Sequence, residues 1–462
     1  MKTHFDAIVI GAGPAGLSCA SALTGFGLEV LLLDEQTRPG GQIYKNIENV
    51  FGKRLQILGE DYAAGQKLVS RFRRQKLDYV PSAAVWQVEE DGHVYYSCEG
   101  SSFEVFGKFI VAATGAMERP VPFPGWTLPG VMGAGGASNL IKDAGLMPKG
   151  KVVLAGSGPL LFLEAVHLID VGADIRAILE TTSVLPHLSS LFHLPAAVRR
   201  TDFLKKGMSM LQRIKKAGIK HYKGITRLAA RGEENLESVH AQKGEKQLDF
   251  EADLLLTHFG VIPNTAIFRQ IGCRHAWNEV QRYWYPECDK WGRTSHNAIF
   301  AAGDGKFVHG AVAAALKGEM AALAITADMG MIHESECSIW AGQIEKQLAR
   351  DLYPRPFIDA LYAPAPDLYE AAPEKIVCRC ESITMGQINR VIKEGCIDPN
   401  EIKALLRPGM GACQGRMCGS ALSEIISLRS GIDIKAVGTL NIRPPLKNIS
   451  LQEIADIELC EG

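Results

Sequence analysis

Residues 6–16 read DAIVIGAGPAG, and no other stretch constrains the fold as tightly. An apolar strand from Ala7 to Ile10 runs into Gly11-x-Gly13-x-x-Gly16, and a helix is predicted from Pro14, through Ala15, to Gly25. Gly11 permits a tight turn, Gly13 lets backbone approach a pyrophosphate, and Gly16 lets helix and strand pack closely. The helix N-terminus then faces the anion. A second apolar strand, Val30 to Leu33, ends in Asp34-Glu35. A carboxylate there can accept hydrogen bonds from the ribose hydroxyls of an adenosine; Asp34 is the first choice and Glu35 the second. A glycine triad alone is weak evidence, but strand, turn, helix, strand and acid in this order specify an adenine-dinucleotide site.

A second copy follows. KVVLAGSGPLL, residues 151–161, offers a strand, Gly156-x-Gly158 and a later strand ending in Glu180. In flavin-dependent reductases this is the NAD(P)H site. Here the third glycine is replaced by Leu161, a side chain expected to push helix and strand apart. The turn and the acid survive, so an adenosine ligand stays open here, but the sequence disfavours productive NADH binding and points to a vestigial or purely structural domain; no arginine cluster follows Glu180, which disfavours NADPH further. Other segments resemble flavin reductases with two dinucleotide domains: RPGGQ (38–42) with Gly41 and Gln42, KFIVAATG (108–115) with Thr114 and Gly115, and AIFAAGD (298–304) with Gly303 and Asp304. On this resemblance Asp304 is expected to contact the flavin; the alternative is a helix cap, and the two are compatible. His309 reads as an ordinary core or surface histidine.

The chain has 462 residues, 47% hydrophobic and 22% charged, with a net charge of −1. Such balance suits a soluble multidomain protein and gives no overall attraction to nucleic acid or anionic membrane. No apolar run is long enough to span a bilayer and no secretory leader is recognisable, so a cytoplasmic location is expected. Residues 1–340 contain no CxxC, which argues against thiol–disulfide chemistry. Cys19, Cys98, Cys273, Cys288 and Cys337 are scattered and read as structural thiols.

The remaining cysteines are not scattered. Cys378-x-Cys380 and Cys413-x4-Cys418 flank two predicted helices, Thr384 to Lys393 and one capped by Asp398 with Pro399 following, so that a helical hairpin can bring the pairs together. Four thiolates can hold zinc or a [2Fe–2S] cluster. CxC with Cx4C is unusual for zinc, and Gly409, Gly411, Gly415 and Gly419 leave backbone N–H groups free to face sulfur, which favours the cluster. Arg416 adds positive charge nearby, and Cys396 reads as a spare thiol.

With these motifs assembled, the chain resembles the larger, FAD-and-cluster subunit of the heteromeric flavin dehydrogenases. This group includes the B-type subunit of hydrogen cyanide synthase, the A-type subunit of opine oxidase and the α subunits of D-hydroxyproline and L-proline dehydrogenases. The resemblance is carried by GAGPAGL (11–17), PGGQIY (39–44), ATGAMERPVPFPGWTLPGVM (113–132), GSGPLL (156–161), AAGD (301–304) and the cysteine quartet. The C-terminal part alone resembles bacterioferritin-associated ferredoxin. Relatives of this kind often carry GxGPLL, so Leu161 fits the resemblance.

The resemblance implies an α/β chain with two Rossmann-like domains in the manner of flavin disulfide reductases, the second inserted in the first, followed by a small helical [2Fe–2S] domain. The expected boundaries are 1–118 with 270–340 for FAD, 119–269 for the NAD(P)-binding-like domain, 341–374 as a proline-interrupted linker, 375–435 for the cluster and 436–462 as a tail. The implied function is electron transfer in a dye-linked amino acid, imino acid or opine dehydrogenase. Its partner would be a catalytic subunit of the D-amino acid oxidase type, with an external electron acceptor. Some such assemblies add a small ferredoxin-like third chain, and some lie peripheral to the inner membrane. Some relatives hold an FMN at a subunit interface, and FAD, NAD and ATP are all adenosine ligands conceivable at the first turn. The alternative is a standalone NADH-dependent flavin and cluster reductase. No general base is assigned.

Overall fold

β1 (His4–Ile10) buries Ala7, Ile8, Val9 and Ile10 in succession, as expected of a parallel strand covered on both faces. In this computed structural model, which describes residues 2–182, 188–365, 369 and 372–457, β1 is central to a seven-stranded sheet. The last five residues of the expected tail and part of the expected linker lie outside the described residues. α1 (Pro14–Gly25) crosses to β2 (Val30–Leu33), which pairs in parallel with β1 and with β3 (Asp78–Val80). β4 (Ala84–Val88) and β5 (His93–Cys98) form an antiparallel meander onto the first half of β6 (Ser101–Ala112), whose second half lies parallel to β1.

The chain leaves through β7 (Ala116–Glu118) and builds a second parallel sheet. Its members are β8 (Val131–Gly133), β9 (Lys151–Ser157), β10 (Asp174–Glu180) and β11 (His221–Lys223), with β15 defined below. Two helices cover it near the second motif, α2 (Ala134–Ala144) and α3 (Pro159–Asp170). A small antiparallel sheet, β12 (Arg227–Arg231), β13 (Ser238–Lys243) and β14 (Lys246–Glu251), precedes β15 (Leu254–Phe259), which lies between β9 and β8. β16 (Val261–Pro263) then returns antiparallel to β7, making a two-stranded ribbon at entry and exit. After the hairpin β17 (His275–Asn278) and β18 (Tyr283–Pro286), β19 (Ile299–Ala301) rejoins the first sheet beside β6. The second sheet is thus an insertion in the first unit.

α4 (Ala311–Asp328) packs on α1 so tightly that a Cβ on Gly318 would lie 2.1 Å from the Ala15 carbonyl oxygen. α5 (Glu334–Leu352) and α6 (Arg355–Leu361) occupy much of the span expected to be a linker. The prolines at 354 and 356 punctuate helices there; Pro354 falls after α5 has ended, and proline is tolerated in the first turn of α6.

The C-terminal unit opens with β20 (Ile376–Cys378) paired to β21 (Ile383–Thr384). α7 (Met385–Lys393) starts from a Thr384–Gln387 capping box, and α8 (Pro399–Leu406) from the Asp398 cap, as the sequence predicts. α9 (Gly419–Ser430) completes the unit, whose core joins that of the second sheet through Trp126, which donates to the Ile376 carbonyl at 2.7 Å. The tail is not free: Leu446 is buried with Ile10 and Leu33, and its N–H donates to the Trp86 carbonyl at 2.7 Å.

Candidate functional site

Strand register places the first motif. Ile10 pairs with Leu33 and with Ala112, and Ala112 pairs with Ala301. The four residues just beyond, Gly11, Asp34, Ala113 and Ala302, therefore share the carboxyl edge of the sheet, where parallel α/β sheets bind ligands. Gly11 has φ +106°, and a Cβ on it would lie 2.5 Å from the Ala113 carbonyl oxygen. A Cβ on Gly16 would lie 1.8 Å from the Gly11 oxygen, so only glycine allows α1 to start this close to β1. Gly13 and Gly41 meet face to face, since a Cβ on Gly41 would be 2.8 Å from the Gly13 Cα. The Gly40-Gly41-Gln42 loop therefore lies across the turn, tied by Gly40 N–H to the Ala12 carbonyl at 2.8 Å.

The two candidate acids part company. Asp34 is 7% exposed. The N–H groups of Gln36 and Ala12 face its carboxylate, yet Oδ2 has no hydrogen-bond partner among the described residues. Burial, outweighing those bonds, pushes the carboxyl up to about 7. An orphaned buried carboxylate oxygen at the adenosine end of a glycine cradle is the acceptor that ribose hydroxyls would satisfy. Glu35 points outward instead and pairs with Lys447 of the tail. Of the two acids, Asp34 is the one with a buried, unpartnered oxygen at the turn.

Further along the same edge, the Thr114 hydroxyl donates to the Asn264 carbonyl at 2.8 Å, and a Cβ on Gly305 would lie 2.8 Å from that hydroxyl oxygen. Gly303 abuts Ala15. Asp304 Oδ1 accepts the N–H groups of His309 and Gly310 at 2.8 and 3.1 Å, which closes the loop before α4, while α4 itself receives no side-chain cap from Gly310. His309 is half-buried; burial pushes its ring well down, to about 2, and Nδ1 is without a partner among the described residues. Gln42 is held from the inserted domain, its side chain by Asn139 at 2.6 Å and its carbonyl by Lys142 at 3.2 Å. No sequence signal marks Asn139 or Lys142, because the contact crosses two domains.

The second motif has the same turn, but the acid at its strand end keeps no free oxygen. Glu180 is 3% exposed, and both carboxylate oxygens are engaged, one by the Thr182 hydroxyl and the other by His221 Nε2 at 2.7 Å, with Lys223 at 3.8 Å. Burial raises this carboxyl, but the bonds from His221 and Thr182 outweigh it and hold it below the usual range. The His258 ring lies 3.8 Å from where a Gly158 Cβ would sit; its Nδ1 is 2.7 Å from Glu118, which also caps α2 through Gly135 N–H at 3.0 Å. Leu161, expected to part helix from strand, is fully buried in the core between them, alongside Val152, Leu154 and Ala165. It replaces close glycine contact with apolar packing.

The four thiols do converge. Cys378 and Cys418 are buried and hydrogen-bonded to each other; Cys380 and Cys413 form a second bonded pair nearer the surface. The bond from Cys418, with N–H groups from Gly409, Glu381 and Cys380, holds Cys378 down at about 5 against the effect of burial, while Cys418 is pushed up. Gly409 N–H also serves Cys418, and a Cβ on Gly411 would sit 2.3 Å from the Cys380 Cβ. Two pairs, each with backbone donors, suit a two-iron cluster better than one tetrahedral zinc. Arg416 Nε donates to the Cys413 carbonyl at 3.0 Å, and Cys396 packs against the domain core.

Residues 5–318 match the family model "Pyridine nucleotide-disulphide oxidoreductase", and residues 376–427 match "BFD-like [2Fe-2S] binding domain". The chain belongs to the pyridine nucleotide-disulphide oxidoreductase family. Within it, the chain is 38% identical to the opine oxidase A-type subunit of Rhizobium meliloti, over 99% of this chain and 88% of the relative. It is 31% identical to hydrogen cyanide synthase subunit HcnB of Pseudomonas aeruginosa, over 96% of each. The solved L-proline dehydrogenase of P. horikoshii shares the fold, with TM-score 0.73, 21% identity and coverage of 98% of this chain and 80% of that one. The Lactococcus lactis thioredoxin reductase, at TM-score 0.52 and 20% identity, covers 70% of this chain and 98% of its own. The chain is thus an oxidoreductase whose two matched models imply a flavin and a [2Fe–2S] cluster, and the orphaned Asp34 oxygen and the paired thiols fit them.

Proposed function

We propose that the chain is the flavin and [2Fe–2S] electron-transfer subunit of a heteromeric dehydrogenase acting on a C–N bond of an amino acid, imino acid or opine. The observation that carries this reading is the contrast between its two dinucleotide turns. Asp34 keeps an oxygen free, whereas Glu180 has both engaged within the chain. One adenosine seat and one thiol cage suit a carrier of electrons that draws them from another subunit rather than from NADH. The relatives' names, which mark them as subunits of opine oxidase and of hydrogen cyanide synthase, support a heteromeric setting.

In this reading FAD lies on Gly11, Gly13 and Gly16, its ribose on Asp34 and its remainder along Gly41-Gln42, Thr114-Gly115 and Gly303-Asp304. Cys378, Cys380, Cys413 and Cys418 hold the cluster. A flavin accepts electrons in pairs and an iron–sulfur centre passes them singly, which is the chemistry the two groups supply. The chain's own residues bind and orient: Asn139 and Lys142 fix Gln42, and Gly409 N–H supports two of the sulfurs. The catalytic partner is of the D-amino acid oxidase type, and an interfacial FMN belongs to the same reading. No helix among the described residues is long and apolar enough to cross a membrane. The test is turnover of a panel of amino acids, proline and opines with a dye acceptor, for the purified chain alone and with its co-expressed partner. Turnover only with the partner supports the proposal; full turnover by the chain alone sinks it.

A further inference from the structure

A cavity of about 90 Å³ lies between the β16–β18 side of the first domain and the loop that carries Cys413 and Cys418. Its charges do not balance. Arg269, Arg282 and Arg416 line it against one carboxylate, Glu424, which is already bidentate to Arg282 at 2.9 and 2.5 Å. Among the described residues Arg416 donates only through Nε, to the Cys413 carbonyl. Arg269 pairs with no acid among the described residues, and burial alone pulls its guanidinium down to about 10. Trp284 Nε1 and Ser420 Oγ are buried and have no hydrogen-bond partner among the described residues. α9 begins at this wall with Gly419 and Ser420, has no acid in its first turn, and receives no side-chain cap from Cys418.

Every unmet group just named can donate a hydrogen bond. Buried donors without acceptors are costly, and uncompensated cations in a cavity more so. A cation would be repelled, and an apolar occupant would leave the donors unmet. An oxyanion satisfies guanidinium, indole, hydroxyl and helix N-terminus together. We propose that this cavity binds one small oxyanion, a carboxylate or a phosphate, between Arg269, Arg416, Ser420 and the N-terminus of α9. The site is separate from the adenosine seat and from the thiol cage. It adjoins the cysteine loop through Gln414, Arg416 and Ser420, and on its other side Asn264, whose carbonyl accepts the Thr114 hydroxyl at 2.8 Å.

Calorimetric titration of the full-length chain, saturated with FAD and in low-chloride buffer, tests this with inorganic phosphate in one arm and acetate in the other. One-to-one binding of either anion is expected, and the stronger arm identifies the oxyanion class. Because charge-assisted bonds are the strong ones, Arg269→Gln should weaken binding about tenfold or more and Arg269→Lys less. Ser420→Ala, a change too small to threaten folding, should weaken it roughly three- to tenfold, in line with the loss of one hydrogen bond. FAD saturation removes the glycine turn as a competing anion site. If neither anion binds, or if Arg269→Gln and Ser420→Ala bind as the parent does, the site does not exist.

Discussion

At the scale of single residues, the chemistry turns on which carboxylates are left wanting a partner. Asp34 has a folded-state carboxyl at about 7 against an ordinary value of 3.8, because burial penalises its charge. The sign follows from proton binding. Between those two values the folded, FAD-free chain holds a proton that the unfolded chain has released, so this group makes stability fall as pH rises from about 4 to about 7. The whole effect is roughly 4 kcal/mol, at about 1.4 kcal/mol for each tenfold change in proton affinity. Asp34→Asn should flatten that slope in urea melts of the flavin-stripped chain at pH 5 and pH 7. Ribose hydroxyls donating to Oδ2 favour the charged form, so FAD binding near pH 6 should release a proton. Titrations in two buffers of different ionisation enthalpy measure that proton. Asp34→Asn should abolish the release and weaken FAD by about tenfold, as expected for loss of a charged hydrogen-bond partner.

At the scale of elements, Leu161 is instructive because it breaks the glycine pattern yet is fully buried with Val152, Leu154 and Ala165. It belongs to the core, so Leu161→Ala should destabilise the chain by about 2–4 kcal/mol, read from denaturant midpoints, rather than repair a nucleotide site. The cysteine helices allow a paired comparison. Cys413→Ser should remove the visible iron–sulfur absorption while leaving the flavin spectrum, and Cys396→Ser should change neither, because Cys396 packs on the domain core and is in neither thiol pair. Much at this scale was legible in the sequence, for a local reason. The Gly11–Gly16 turn, the Thr384 box and the Asp398-Pro399 start are each specified by residues within a few positions of one another. What stayed hidden was non-local. Glu180 is engaged by His221, 41 positions away, and Glu35 by Lys447, 412 positions away, so neither partner could be read from spacing. The helix through 341–352 was masked by prolines that interrupt the chain only beyond it.

At the scale of the whole molecule, two Rossmann-like units built on one plan differ in how they treat the acid at the turn. The first unit presents an open acid at its turn; the second closes its own with Thr182, His221 and Lys223 and seats His258 beside Gly158. Binding adenosine there would mean displacing hydrogen bonds already formed around a buried carboxylate, which forfeits about as much as it gains. The contacts of α2 with Gln42 add a second barrier, since Asn139 and Lys142 tie the inserted domain to the flavin-side loop and hold the relative orientation of the two units. NADH mixed anaerobically with the flavin-loaded chain should therefore leave the flavin's visible absorbance unbleached, and NADPH likewise. Opening the second site should not rescue reduction by one change: Thr182→Ala frees only one oxygen of Glu180, and His221 still holds the other. Rapid bleaching of the parent chain by NADH would show that the second turn delivers hydride, and the partner subunit would then no longer be needed as the source of electrons.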